Sequence, residues 1–464
     1  MRGLLDRRAV SAREVTEHFL DRLERIGPQY NALASLTRPR ALAEAGQSDL
    51  AIARGAITPL LGIPYGAKDL LAARGAPTTY SSGAYADQVL DFDAAAIAQL
   101  HRAGAVLAAK LAMMELAGFH GGIAAASLHG PGLNPWDPGR WSAGSSSGSG
   151  AAVAAGLVPY ALGSETGGSI GSPSAYCGIT GLRPTFGLVS RFGAMELVAS
   201  LDKIGPMAHS ARDCAIVLEA MSGFDRRDPG SVPRRKFHLA DVERVRDRRQ
   251  RPWRLAFAPH DFDVAAVEAI RPALREAMDA FRAMGVEFVE AELPPDIPYL
   301  QVILDVLGGE GGTAFAPLIE SERFELIVDA GQRDKMRETL KTTARTYIEA
   351  MKARVRIRQA FAQIFKSADA IVTYTLPWEP SPIDEDLTSA PISGGFSGMV
   401  AASNLAELPA LFLPAGLSTH SLPVGVQLVG PPFREATLLA IGEAFQDATS
   451  WHRLRPPMGG AMPA

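Results

Sequence analysis

Residues 141–190 read WSAGSSSGSGAAVAAGLVPYALGSETGGSIGSPSAYCGITGLRPTFGLVS, two Gly/Ser runs separated by small apolar text. Ala151 to Leu157 suits a tightly packed helix, and Tyr160 to Ser164 a buried strand. Gly and Ser also dominate flexible linkers. Two features oppose that reading: the first run passes into an apolar helix with no shift in composition, and Gly167-Gly168-Ser169 follows, with Ser169 24 residues after Ser145. A phosphate-binding loop needs G-x-x-x-x-G-K-[ST], and no Lys follows either run. Gly144 to Gly148 satisfies G-x-S-x-G, which would make Ser146 the nucleophile of an α/β-hydrolase elbow. That elbow follows a strand directly, whereas NPWDPGRWSA ahead of it holds two prolines and turn residues.

Outward from this segment, strands and helices alternate. Ser11 is placed to cap a helix bearing Val15, Phe19, Leu20, Leu23 and Ile26, helical periodicity runs through 10–55, and Pro28 is a stop signal. PLLGIPYGAKDLL at 59–71 predicts a buried strand ending in a turn, with Lys68 inside the apolar run. Ala94 to Gly104 predicts a helix, Ala105 to Ala109 a strand, and Gly121 to Ser149 a long loop. Further strands are expected at Arg254 to Phe257, Val286 to Leu293, Ala370 to Thr375, Leu411 to Pro414 and Val424 to Val429. Helices are expected at Val264 to Met284, through most of 300–367 with Tyr347, Met351, Val355 and Arg358 on one of them, and at Ala436 to Phe445; 376–398 is loop-like. The class is α/β.

The chain has 464 residues, 47% hydrophobic and 21% charged, which rules out wholesale disorder and leaves room for several domains or one large one. Lys and Arg number 46 against 50 Asp and Glu, so the basic excess of a nucleic-acid binder is missing. The arginines of 225–254 alternate with Asp228, Asp241, Glu243 and Asp247 and read as a solvated face. Cys177 and Cys214 are the only cysteines, too few for a disulfide framework, and both read as core residues. Nine scattered histidines show no metal-site spacing, so no metal is expected. MRGLLDRRAVSAREV has no apolar signal core, and no stretch approaches about 18 apolar residues; the expectation is a cytoplasmic protein with no membrane contact.

GIPYGAKDLL, LNPWDP, the two Gly/Ser runs, SLDKIGPMAHSARD, NLAELPALFLPAG and LPVGVQLVGPPF together resemble the amidase signature family. The resemblance spans about 10–450 and is dense in 60–215 and 400–433. It implies one domain over 1–464: a large mixed, twisted sheet covered by helices on both faces, a more variable helical region at 300–398, and a return to the core at 400–450. It implies that Ser169 is the nucleophile, Ser145 a bridging serine after a cis peptide at Gly144, and Lys68 the base. The N–H groups of Thr166, Gly167, Gly168 and Ser169 are implied as the oxyanion hole. Ser146 is expected to support the loop by hydrogen bonding. The chemistry is coherent, because a serine hydroxyl needs a base and a buried lysine can be held neutral near pH 7. No cofactor is implied.

The text departs from the family pattern at Glu165 (usually Asp), Gly171 (usually Arg), Ser147 and Glu407 (usually Gly) and Tyr374 (usually Pro). Loss of a cation at Gly171 predicts a roomier, less positive substrate pocket there. The expected activity is therefore serine hydrolysis of a neutral, partly apolar amide, anilide or carbamate, with a small molecule and water as partners and a homo-oligomer left open. SRFGAMELVASLDKIGP also resembles the glutaminyl-tRNA amidotransferase subunit, but Ser389 to Leu405 holds no carboxylate to meet a free ammonium. Also open are a urea-derivative (allophanate- or biuret-type) amidohydrolase and a non-catalytic subunit of the same fold.

Overall fold

The computed structural model describes residues 1–119, 121, 123, 126–247, 251–384 and 397–457. Arg248, Arg249 and the stretch 385–396, including the first eight residues of the acid-free segment Ser389 to Leu405, lie outside the described residues. In chain order the strands are β1 Leu33–Leu36, β2 Pro64–Lys68, β3 Val106–Leu111, β4 Leu133–Asn134, β5 Asp137–Trp141, β6 Tyr160–Glu165, β7 Thr180–Arg183, β8 Lys203–Ala208, β9 Arg254–Phe257, β10 Glu287–Glu290, β11 Ala370–Tyr374, β12 Ala410–Leu417 and β13 Pro423–Val429.

Eleven of them form one sheet in the order β1-β3-β2-β6-β8-β7-β12-β13-β11-β9-β10. The β3-β2-β6 and β11-β9-β10 groups are parallel and the other pairings antiparallel, so the sheet is mixed. Every residue of β2, β3, β7 and β8 is buried, as expected of sheet strands covered on both faces. Helices Arg38–Ala53, Ser147–Ala154, Gly171–Cys177 and Arg271–Ala283 pack on the sheet.

Local chemistry sets the element ends. Ser11 Oγ accepts the N–H of Glu14 at 3.0 Å while the Glu14 carboxylate accepts that of Ser11 at 2.8 Å, a capping box that starts helix Ala12–Ile26. Ser147–Ala154 is buried throughout, and a β-carbon at Gly148 would lie 2.5 Å from the carbonyl oxygens of both Ala32 and Ala112. Only small residues allow that approach to the end of β3.

Several expectations are corrected. Residues 10–55 hold two helices with β1 between them. The expected 121–149 loop contains the β4–β5 hairpin, and the next helix begins at Ser147. A strand thus precedes Ser146, but in a separate two-stranded sheet, so no elbow strand of the main sheet feeds it. The helix expected at 264–284 starts at Arg271, since Pro272 is tolerated only in a first turn, and Asp261–Ala265 is a separate wide turn. One helix, Tyr299–Ile319, is long and apolar enough by length and composition to cross a membrane, contrary to the expectation that no stretch approaches that length; it packs against helices Ala330–Thr339, Ala344–Ile364 and Ser397–Leu405.

Candidate active site

β2 carries Lys68 to the edge of the first Gly/Ser run, with its side chain wholly buried. Lys68 Nζ lies 2.7 Å from Ser145 Oγ and 2.9 Å from Ser164 Oγ. Its neighbour Asp69 is locked by Lys110 Nζ from β3 at 2.8 Å and by the N–H and hydroxyl of Thr79, which fixes the backbone from which Lys68 projects. Burial pushes the Lys68 ammonium down to about 7, against the opposing pull of Asp202 and Glu165. An amine in that range is largely neutral just above pH 7 and has a lone pair to accept a proton.

The Gly144–Ser145 peptide is cis. A β-carbon at Gly144 would sit 2.4 Å from Met114 Sδ and 3.0 Å from the Trp141 ring, so any side chain before Ser145 would displace Met114. The Ser145 carbonyl accepts the Met114 N–H at 3.1 Å. Ser146 is buried, and its hydroxyl lies 3.3 Å from both the N–H and the carbonyl of Ser164. Ser149 Oγ donates to Leu162 O at 3.0 Å. The two serines thus stitch the first run to β6.

Ser169 stands in the turn between β6 and helix Gly171–Cys177. Glu165, wholly buried at the end of β6, shapes that turn: one carboxylate oxygen accepts the N–H groups of Ile170 and Gly171, each at 2.9 Å. The other accepts Arg183 at 2.6 Å and Asn404 at 3.0 Å. Burial works against the Glu165 carboxylate, but Arg183, Asn404 and the Gly171 N–H together hold its pKa below the ordinary range. The extra methylene relative to Asp is thus used to reach the helix N-terminus and Arg183 together.

Gly168 has φ +116, a conformation side chains rarely adopt, and a β-carbon there would press on Val400 and Ser172. Among the described residues, no acceptor engages the backbone N–H of Gly167, Gly168 or Ser169. Thr166 Oγ1 donates to Asp202 at 2.5 Å, and the other Asp202 oxygen accepts the Leu197 and Val198 N–H groups, which braces the loop from behind.

Gly144, Ser145, Gly167 and Ser169 line one cavity of about 400 Å³. Its wall includes Trp141, Tyr176, Tyr374, Trp378, Ile303 and Val400, and no Asp, Glu, Lys or Arg among the described residues. The expectation for Gly171 is corrected. It is buried, does not line this cavity, and a β-carbon on it would meet the Phe412 ring at 2.5 Å. Phe412 occupies the place a side chain would need, so Gly171 makes no room for substrate. Glu407 also lies off the cavity wall, paired with Arg354 and Arg358, whereas Tyr374 is on it.

Ser164 and Asp202 were not legible as site residues. Ser164 reads as one more serine beside a Gly/Ser run, and Asp202 lies 36 positions beyond its partner Thr166. Trp141, Tyr176 and Trp378 carry no pattern in the sequence that would mark them as pocket walls.

Residues 14–439 match the family model described as Amidase. A glutamyl-tRNA(Gln) amidotransferase subunit from Geobacter metallireducens is 35% identical over 97% of this chain and 96% of its own length. The peptide amidase of Stenotrophomonas maltophilia superposes with a TM-score of 0.85 at 29% identity, over 98% of this chain and 96% of that one. A protein from a vestigial complex linked to the origins of an s-triazine catabolic enzyme superposes with a TM-score of 0.85 at 30% identity, over 96% and 97%. With one family model matching most of its length and relatives aligned nearly end to end, the chain belongs to the Amidase family, the amidase signature enzymes.

Proposed function

We propose that this chain hydrolyses the C–N bond of a neutral, partly apolar amide, anilide or carbamate through an acyl-enzyme on Ser169. In this reading Ser169 Oγ attacks the carbonyl carbon as its proton passes through Ser145 to neutral Lys68. The N–H groups of Gly167, Gly168 and Ser169, with Thr166 at the loop's start, receive the developing oxyanion; one such donor is typically worth about 100-fold or more in rate. The proton returns through Ser145 to the leaving nitrogen and the C–N bond breaks; water then attacks the ester, its proton passing through Ser145 to Lys68 and back to Ser169 Oγ as the ester bond breaks. The chain would act in the cytoplasm on a small molecule.

The observation that carries the substrate class is the uncharged cavity wall: a buried ammonium or carboxylate on the substrate would find no opposite charge among the described residues. The near full-length similarity to glutamyl-tRNA(Gln) amidotransferase subunits favours a second reading, transfer of an amide nitrogen from an amino-acid amide. That substrate carries both charges, which the uncharged wall disfavours. A fluorophosphonate probe followed by peptide mapping, then a panel of neutral amides, anilides and carbamates beside free glutamine, tests both. Labelling of Ser169 with turnover of neutral substrates is expected; turnover of glutamine alone would overturn the substrate class.

A further inference from the structure

Beyond the cavity at Ser169 lies a second one of about 510 Å³, lined by His260, Glu292, Leu293, Ile297, Tyr299 and Gln301. Each volume alone suits a small ligand. Leu300 lines both, so the two cavities adjoin at this residue. Two helices form the common wall. On Tyr299–Ile319, Tyr299 and Gln301 face the far cavity while Ile303 faces the near one. On Ser397–Leu405, Gly398 faces the far cavity while Val400 and Ala401 face the near one. The Tyr299 hydroxyl donates to Pro294 O at 2.7 Å, which fixes its ring in the far wall.

The two cavities differ in chemistry. Among the described residues the near one has no charged lining, whereas the far one adds an exposed Glu292 carboxylate, and Glu292 forms no ion pair among the described residues. His260 and Gln301 supply further polar atoms beside the apolar Leu293 and Ile297. We propose that the far cavity is a second substrate subsite, and that the substrate is an elongated amide whose apolar arm crosses Leu300 and ends in an ammonium or similar donor group at Glu292. The inference rests on the hydrolase reading above and extends it. The reacting end stays neutral and the charge lies at the remote end, where Glu292 is partly solvated and the arm keeps the ammonium out of the uncharged site.

The test is a homologous series of amides at pH 8, with arms lengthened on either side of the scissile bond and ending in an amine or its N-acetyl form. Turnover of the shortest neutral member reads the hydrolase assignment alone. The expected result is that kcat/KM rises by up to about fourfold per methylene as the arm passes Leu300. The amine-ended members should exceed their acetylated forms by about two- to fivefold, as for an exposed ion pair, and Glu292→Gln should abolish that ratio. A flat length dependence on both sides of the bond, or an amine preference that survives Glu292→Gln, overturns the proposal. Dissociation constants of the same series on Ser169→Ala protein decide the matter without turnover: binding that fails to tighten with arm length also overturns it.

Discussion

Glu165 and Arg183 form an ion pair of 2.6 Å with both side chains fully out of solvent, directly beneath the turn that presents Ser169. The same carboxylate holds the N–H groups of Ile170 and Gly171, so one side chain ties the sheet to the turn and to the helix after it.

Glu165→Gln should therefore harm both fold and reaction. It leaves Arg183 as an uncompensated buried charge, a loss of about 3–5 kcal/mol, and it weakens the acceptor on the turn. Denaturant midpoints and kcat should fall together. Glu165→Asp restores the charge one methylene short, so it should recover more stability than activity. Equal recovery of both would show that the reach of the side chain is unimportant.

Ser169→Ala should cut kcat by about 10⁴-fold or more, as loss of a hydrolase nucleophile does, with the thermal transition retained. Ser146→Ala should lose the two contacts to Ser164 and keep measurable turnover. An acyl adduct mapped to Ser146 would reverse these assignments.

Lys68 has two pH signatures. In the proposed mechanism its neutral form is the base, so kcat/KM should rise with pH through about 7, and this acid limb should vanish in any active Lys68→Met enzyme. For stability the sign is worked from the lowered pKa. The unfolded lysine, ordinarily at 10.5, holds its proton between about 7 and 10.5 while the folded one does not. Stability therefore rises with pH across that window, and the cost of burying Lys68 is greatest below it. Lys68→Met should be more stable than the natural chain by a few kcal/mol near pH 7, and the gap should close toward pH 10. A constant gap in denaturant titrations across that range would show that Lys68 titrates normally.

Gly171→Ala should destabilise by about 1–3 kcal/mol through overpacking, because its β-carbon would lie 2.5 Å from the Phe412 ring. Phe412→Leu should recover part of that loss in the double variant. Gly171→Arg should fold poorly without gaining activity on carboxylate-bearing amides. A well-folded Gly171→Arg enzyme with a new preference for anions would restore the pocket role expected from sequence.

The α/β class, the buried strand carrying Lys68, the capped helix Ala12–Ile26 and the two Gly/Ser runs were legible because each is local: hydrophobic period, a cap three residues long, or small residues where backbones must touch. The family text likewise named Lys68, Ser145 and Ser169, and the fold puts Lys68 against Ser145 across 77 positions and opens Ser145 and Ser169 onto one cavity. What the sequence alone could not determine is what each side chain meets. Gly171 reads as a missing cation in one dimension and as the seat of the Phe412 ring in three. Glu165 reads as a substituted Asp, and only packing shows its methylene reaching Arg183, Ile170 and Gly171 together. Which residues wall the cavity, and that none of those described is charged, follows from strands and helices far apart in the chain converging on one cavity. Charge and volume at such a point are properties of that convergence, and no segment carries them by itself.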